Sequence, residues 1–349
     1  MMSEIGSERT RAAIAMIPEL KGLGGPASFQ EKMMLGLKKQ GYEGHFDLNN
    51  PEVRSLLVIG GTKHLAEIWK AKRKGVRVVQ RLNGMNWIHR KKKTGLRHYL
   101  RSEYGNFLLG TIRNQLADAI IYQSQFARSW WQTAYGIQTI NSSVIYNGVD
   151  LVEYSPQGES NLPEDCTRIL LVEGHLGQGN ETGLWNAIKL VEAIQRKTSK
   201  AVELMVAGKV PQEIMAQAQS SSSVQINWAG VVKRKQIPAL DRSAHLLFSA
   251  DLNAACPNAV IEALACGLPV VAFATGSLTE ILQNDAGKTV PYGSNYWELE
   301  APEIDPLADA AIEILNNLDY FRMKARQQAE NIFGLDAMVT GYLKVLLPD

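Results

Sequence analysis

Three groups of residues in this chain have the types and spacing to do chemistry. The first is the run Cys256-Pro257-Asn258-Ala259-Val260-Ile261-Glu262-Ala263-Leu264-Ala265-Cys266-Gly267-Leu268-Pro269. A helix is predicted to begin near Asn258, with Asn258 as its N-cap, leaving the amides of Ala259 and Val260 free for an anion. Glu262 follows one turn later, flanked by Val260, Ile261, Ala263, Leu264 and Ala265, so its carboxylate is predicted to be buried. A buried carboxylate without a partner is costly, and this one is expected to meet a ligand or partner, such as the vicinal hydroxyls of a ribose. Gly267 ends the helix and Pro269 enforces the stop.

The second group is Gly22-Leu23-Gly24-Gly25-Pro26-Ala27, between a predicted strand and a predicted helix. Glycines let the backbone approach a ligand closely, and helix N-terminal amides face a phosphate. The run nominally matches G-x-G-x-x-G/A, with Asp47 near the place of a ribose acid, so a nicotinamide-dependent oxidoreductase stays open. A tight turn without a ligand fits the same residues. The third group is cationic: Lys209 beyond a predicted strand, Lys233 and Arg234 beyond the next, and Arg81 closing a strand of the first half. His175 sits in a glycine-rich turn, Gly174-His175-Leu176-Gly177. Each of these could equally be a solvated surface charge.

These groups need elements to hold them. Short β-branched runs alternate with longer amphipathic segments, the pattern of βαβ units and parallel sheets. Strands are predicted at 12–17, 55–59, 76–80, 119–123 and 143–146, and again at 168–173, 202–207, 224–228, 245–249 and 270–273. Helices are predicted between them, including 26–39, 63–73, 99–116, 125–135 and 258–265, and three more close the chain at 305–318, 320–331 and 335–347. Turn chemistry at 147–156 makes a natural linker. The expectation is an α/β chain of two doubly wound domains in series, with the cleft between them as the ligand site.

Composition agrees with a folded protein: 349 residues, 45% hydrophobic and 21% charged. Cys166, Cys256 and Cys266 form no CxxC pair, so reduced thiols and a cytoplasmic setting are expected. No His or Cys spacing suggests zinc, no targeting signal is visible, and the apolar stretch 263–274 is shorter than the ~18 residues of a spanning helix. Through Asp150 there are 22 basic and 11 acidic residues; the remainder holds 15 and 24. The basic excess concentrates in Lys70, Lys72, Arg73 and Lys74 and in Arg90, Lys91, Lys92, Lys93, Arg97 and Arg101. Such a half could rest against anionic lipid head groups or attract an anionic substrate, or be a plain solvated face.

Gly24-Gly25-Pro26-Ala27-Ser28-Phe29, Ser124-Gln125-Phe126-Ala127-Arg128, Val144-Ile145-Tyr146-Asn147-Gly148-Val149-Asp150 and the Glu262 run occur in an order that resembles glycosyltransferase family 4, the group 1 glycosyl transferases. The resemblance implies the GT-B architecture, two facing Rossmann-like domains. Residues 1–153 with a returning helix at about 335–349 would form the acceptor side, and 154–334 would bind a nucleotide sugar. It implies Glu262 at the ribose hydroxyls, Asn258, Ala259 and Val260 at the distal phosphate and sugar, Gly24 and Gly25 at the diphosphate, and Val231 and Val232 at the base. The acceptor would meet Arg81, Asn83 and Asn86.

The sequence departs from the family pattern twice. The first of its two glutamates, eight positions before Glu262, is replaced by Ala254. The usual Arg and Lys at the diphosphate are replaced by His175 and Asn180, leaving Lys209 as the expected substitute cation and Arg81 as the second choice. The function expected is a retaining glycosyltransferase that needs neither metal nor cofactor. It would move a hexose, first among them glucose, from a UDP-sugar to a saccharide or lipid-linked acceptor in polysaccharide biosynthesis. A catalytically silent nucleotide or carbohydrate binder is the main alternative. Peripheral contact with the inner face of an anionic membrane is expected to be possible, and a nucleic-acid partner is not.

Overall fold

A computed structural model describes residues 13–22, 24–92, 95–177 and 181–348. Ala12, Leu23, Lys93 and Asn180, all part of the sequence expectations, lie outside the described residues.

The first sheet comprises β1 (Ala13–Ile17), β2 (Gly44–His45), β3 (Val53–Ile59), β4 (Arg77–Leu82), β5 (Ala119–Tyr122) and β6 (Asn141–Val144), in the order β2-β1-β3-β4-β5-β6. The second comprises β7 (Cys166–His175), β8 (Ala201–Lys209), β9 (Gln225–Gly230), β10 (Leu246–Ser249), β11 (Val270–Phe273) and β12 (Gly287–Val290), in the order β12-β11-β10-β7-β8-β9. Every pairing between these strands is parallel. Helices cover both faces, so central strands such as β1, β10 and β11 are buried along their whole length, as their near-continuous apolar runs require.

The helices are α1 (Gly25–Lys39), α2 (Leu65–Arg73), α3 (Leu96–Thr111), α4 (Gln125–Tyr135), α5 (Thr182–Lys197), α6 (Gln212–Ser221), α7 (Ile237–Arg242), α8 (Asn258–Ala265), α9 (Leu278–Ile281), α10 (Asp305–Asn316), α11 (Leu318–Ile332) and α12 (Leu335–Leu346). The single helix predicted at 99–116 is α3 followed by one π-wound turn, Ile112–Leu116. β2 and β12 were not predicted: both are short edge strands without an apolar run to announce them.

The linker and the closing helix meet. Val149 N–H donates to the Phe333 carbonyl (2.8 Å) and Leu335 N–H to the Val149 carbonyl (3.0 Å). A Cβ on Gly148 would stand 2.9 Å from Leu335 Cα, so only glycine lets the two segments pass this closely. α12 then packs into the first domain: Met338, Val339, Tyr342 and Leu346 join Ile14, Phe29, Met33 and Leu57 in one core. The Ser55 hydroxyl and the Arg77 Nε donate to the carbonyls of Leu346 and Val345, closing the last turn.

In the second sheet, strand order reverses between β7 and β10, and the crevice beyond their carboxyl ends is where ligands of such sheets bind.

Candidate active site

A cleft of about 580 Å³ opens at that point, walled by both domains. The first domain contributes Gly25, Pro26 and Ser28 at the start of α1, Arg81 on β4, the loop 83–88, and Trp130 on α4. The second contributes residues 172–174, Gly208, Val231, Val232, Arg234 and most of the stretch from Leu247 to Glu262.

Two helix N-termini face each other here. A Cβ built on Gly25 would come to 3.9 Å from the Asn258 side-chain nitrogen, which places the first residues of α1 and α8 opposite one another. Pro26 lies in the first turn of α1, just after Gly25, where its missing N–H costs nothing. The cap of α8 is Pro257, not Asn258: Asn258 is already helical, and its Oδ1 accepts from Asn147 Nδ2 at 3.0 Å. Its backbone N–H therefore joins those of Ala259 and Val260 as donors at the helix tip. Gly267, at φ 71°, ends α8, with the Leu268 N–H donating back to Ala263 at 2.8 Å.

Glu262 is 8% exposed and lines the cleft. Its Oε1 accepts from Lys32 Nζ at 2.8 Å, and Lys32, on α1 of the facing domain, is equally buried. Glu262 Oε2 has no hydrogen-bond partner among the described residues. The expected burial is present, and of the ligand or partner expected for this acid the structure shows a partner, Lys32.

Asn147 of the linker is the hub behind this site. Its Nδ2 donates to the Cys256 carbonyl and to Asn258, and its Oδ1 accepts from Arg81 Nη2 at 2.8 Å. The Arg81 guanidinium, fully buried, also lies 3.8 Å from the centre of the Phe29 ring. Burial lowers its pKa. Arg81 thus reaches the cleft wall and, through Asn147, braces the α8 loop.

Lys209 and His175 end β8 and β7 side by side, in register with each other and outside the residues that line the cleft. Lys209 is exposed to solvent. Gly24, the N-cap of α1, also stays outside the lining, whereas Gly25 faces it. Asn83, Asn86, Val231, Val232, Asn258, Ala259, Val260 and Glu262 all line the cleft. Ala254 lines it too, and is buried. Asp47 is engaged locally with Asn49 and lies away from the lining.

Of the two cations expected beyond β9, Arg234 lines the cleft and Lys233 does not, and Arg234 pairs with Glu31 of α1. Sequence reasoning missed two features. Glu173 and Asp251, at the ends of β7 and β10, line the cleft without a hydrogen-bonding partner among the described residues. Burial, with Asp251 as a like-charged neighbour, raises the Glu173 carboxyl above the ordinary range, and burial raises Asp251 as well. Trp87 and Trp130 of the first domain both meet Trp297 of the second edge-on, with ring centroids 5.1 and 5.2 Å apart. Neither the two acids nor the tryptophans had a motif to mark them, and only folding separates Arg234 from Lys233.

The two domains are clasped around the cleft. Besides Lys32–Glu262 and Arg234–Glu31, Lys91 pairs with Glu298. Glu280 accepts from the backbone N–H groups of Gln125 and Phe126 (2.9 Å each) and from the Tyr146 hydroxyl (2.8 Å). A carboxylate of the second domain thereby caps the N-terminus of α4 in the first.

Comparison with known proteins places this geometry. No curated protein matches the chain in sequence. Sucrose-phosphate synthase from Thermosynechococcus elongatus superposes with a TM-score of 0.72 at 15% identity, over 96% of this chain and 98% of that one. WaaG, a glycosyltransferase of lipopolysaccharide biosynthesis, gives 0.68 at 14% identity over 97% and 100%. Anabaena HepE in complex with UDP-glucose gives 0.66 at 16% identity over 96% and 99%. The shared fold is GT-B, as the sequence resemblance implied. The model of glycosyl transferases group 1 matches residues 167–317, and that of glycosyltransferase family 4 matches residues 60–153. With matched segments on both sides of the cleft, the chain belongs to the family 4, group 1 glycosyltransferases.

Proposed function

We propose that this glycosyltransferase is retaining and metal-independent, and that it moves a hexose, in the first place glucose, from a UDP-sugar to a saccharide or glycolipid acceptor in polysaccharide assembly. The observation that carries this reading is Glu262. It is a buried carboxylate on the cleft wall with one oxygen held by Lys32 and the other unpartnered, one turn from a helix tip that presents free amides. A ribose diol on Oε2 would leave the diphosphate between the α8 tip, Gly25 of α1 and Arg234. HepE, whose structure contains UDP-glucose, and WaaG, of lipopolysaccharide biosynthesis, share the fold and support the donor and acceptor classes by analogy.

The chemistry follows from charge. As the anomeric C–O bond breaks, positive charge grows on the sugar and negative charge on the leaving diphosphate. Amides fixed at two helix tips and the Arg234 guanidinium stabilise the separated charges more than the intact donor. Val231 and Val232 would meet the base, and Asn83 and Asn86 the acceptor. The basic excess of the first domain suits a cytoplasmic enzyme in peripheral contact with an anionic membrane; among the described residues no helix is long and apolar enough to cross one.

UDP released from UDP-glucose in the presence of EDTA would support the reading. In calorimetry, Glu262→Ala is expected to weaken UDP binding by roughly 2–4 kcal/mol through loss of charge-assisted hydrogen bonds. Unchanged affinity in that variant overturns the ribose assignment. Ala254, buried where the family carries a glutamate, favours the second reading of a silent binder, which would take up UDP and release none from any UDP-sugar.

A further inference from the structure

α3 carries an outward face that the cleft does not explain. Leu96, Leu100, Tyr104 and Phe107 are 75%, 58%, 48% and 62% exposed. At 100° per residue these four fall on one side of the helix, while Asn106, Leu108, Leu109 and Gly110 are buried on the domain. Arg97 and Arg101 stand beside the stripe, both exposed and both without a hydrogen bond or ion pair among the described residues. Lys63 approaches the Tyr104 ring from α2's side, with Nζ 5.9 Å from its centre. Long aliphatic and aromatic side chains exposed in a row normally cost solubility and mark a contact surface.

We propose that this face of α3 seats the first domain on an anionic lipid surface, with Leu96, Leu100, Tyr104 and Phe107 entering the interface and Arg97 and Arg101 at the head groups. The inference rests on the peripheral membrane contact proposed above and names the element that makes it. Charge selects the occupant: a stripe edged by unpaired arginines, in a half with 22 basic and 11 acidic residues, complements phosphate better than it would a second copy of the same basic face. The inner side of the helix ties the surface to the site. Asn106 Nδ2 donates to the Asn86 carbonyl (2.8 Å), and the Asn86 N–H donates to Asn106 Oδ1 (3.0 Å). Asn86 lines the cleft, so a membrane under α3 lies against the rim where a lipid-linked acceptor would enter.

The test is cosedimentation of the full chain with phosphatidylcholine vesicles, with and without phosphatidylglycerol. The wild type is expected to bind the mixed vesicles. Leu100→Glu/Phe107→Glu is expected to lose about tenfold or more in partitioning, and Arg97→Gln/Arg101→Gln to lose the dependence on phosphatidylglycerol. UDP affinity should stay the same in both variants, which shows that each is folded. Equal binding by the wild type and Leu100→Glu/Phe107→Glu overturns the assignment to α3 and leaves membrane contact standing. No binding by the wild type overturns both. A wild-type dimer that Leu100→Glu/Phe107→Glu makes monomeric, without vesicle binding, would make the face an interface between copies instead. UDP release from UDP-glucose in detergent-free solution tests the enzyme reading separately.

Discussion

α1 and α8 begin opposite each other at the cleft and are built in contrary ways. α8 has eight residues, apolar on nearly every side, and one charge, Glu262. α1 has 15 residues, and its cleft-side charges, Glu31 and Lys32, reach over to Arg234 and Glu262 of the other domain. A helix as apolar as α8 buries its acid at a cost it cannot offset by itself. The facing helix provides the counter-charge, so each domain holds half of one electrostatic unit. The ion pairs therefore need both domains in contact, as do the Glu280 cap on α4 and the Trp87–Trp297–Trp130 contacts.

Breaking that unit from the α1 side should have the largest effect. Lys32→Met leaves Glu262 buried and uncompensated, and is expected to lower unfolding free energy by about 3–5 kcal/mol in denaturant titrations. The double variant Lys32→Met/Glu262→Leu, with both charges gone, should recover most of that loss while still binding UDP poorly; a double variant as unstable as the single one would refute the pairing argument. The second pair is of another kind. Glu31 is exposed, so Arg234–Glu31 should contribute no more than about 1 kcal/mol to stability. Yet Arg234→Gln is expected to weaken UDP binding by about 1.5–3 kcal/mol if the guanidinium turns to a diphosphate. Calorimetry and melting of this one variant separate the two roles.

The acids at the ends of β7 and β10 act through pH instead. Glu173, pushed up to about 8, keeps a proton that the unfolded chain has lost from about pH 5 upward. Wild-type stability should then fall between about pH 5 and about pH 8, and Glu173→Gln should remove that part of the slope in urea titrations across the range. Least of all is expected at the strand ends first singled out: Lys209→Ala should change UDP affinity by less than about 0.5 kcal/mol, because the side chain is exposed outside the cleft. A large loss there would restore Lys209 as the diphosphate cation.

The fates of Lys209 and Arg234 show where sequence reading stops. Both follow a strand of the second sheet, and strand position alone put both at the carboxyl edge. β8 runs on through Lys209 as far as its partner His175, carrying the ammonium outward, whereas β9 ends at Gly230 and the chain turns Arg234 back into the cleft. Glu262 was legible because its neighbours in sequence are also its neighbours in the helix. Lys32 was not, since nothing within its own turn of α1 reveals that its ammonium crosses to residue 262.

By itself the sequence determined most of the elements but not the edge strands β2 and β12, together with the two doubly wound sheets, the helix that buries one acid, and the family to which these belong. Apolar periodicity and turn residues act over a few positions, and a local pattern suffices to read them. Tertiary structure alone decided which cations face the cleft, that Asn147 and Arg81 brace the α8 loop, and that α3 turns an apolar face outward. Those outcomes depend on contacts between residues tens to hundreds of positions apart, and burial and charge compensation act through space, where sequence distance carries no information.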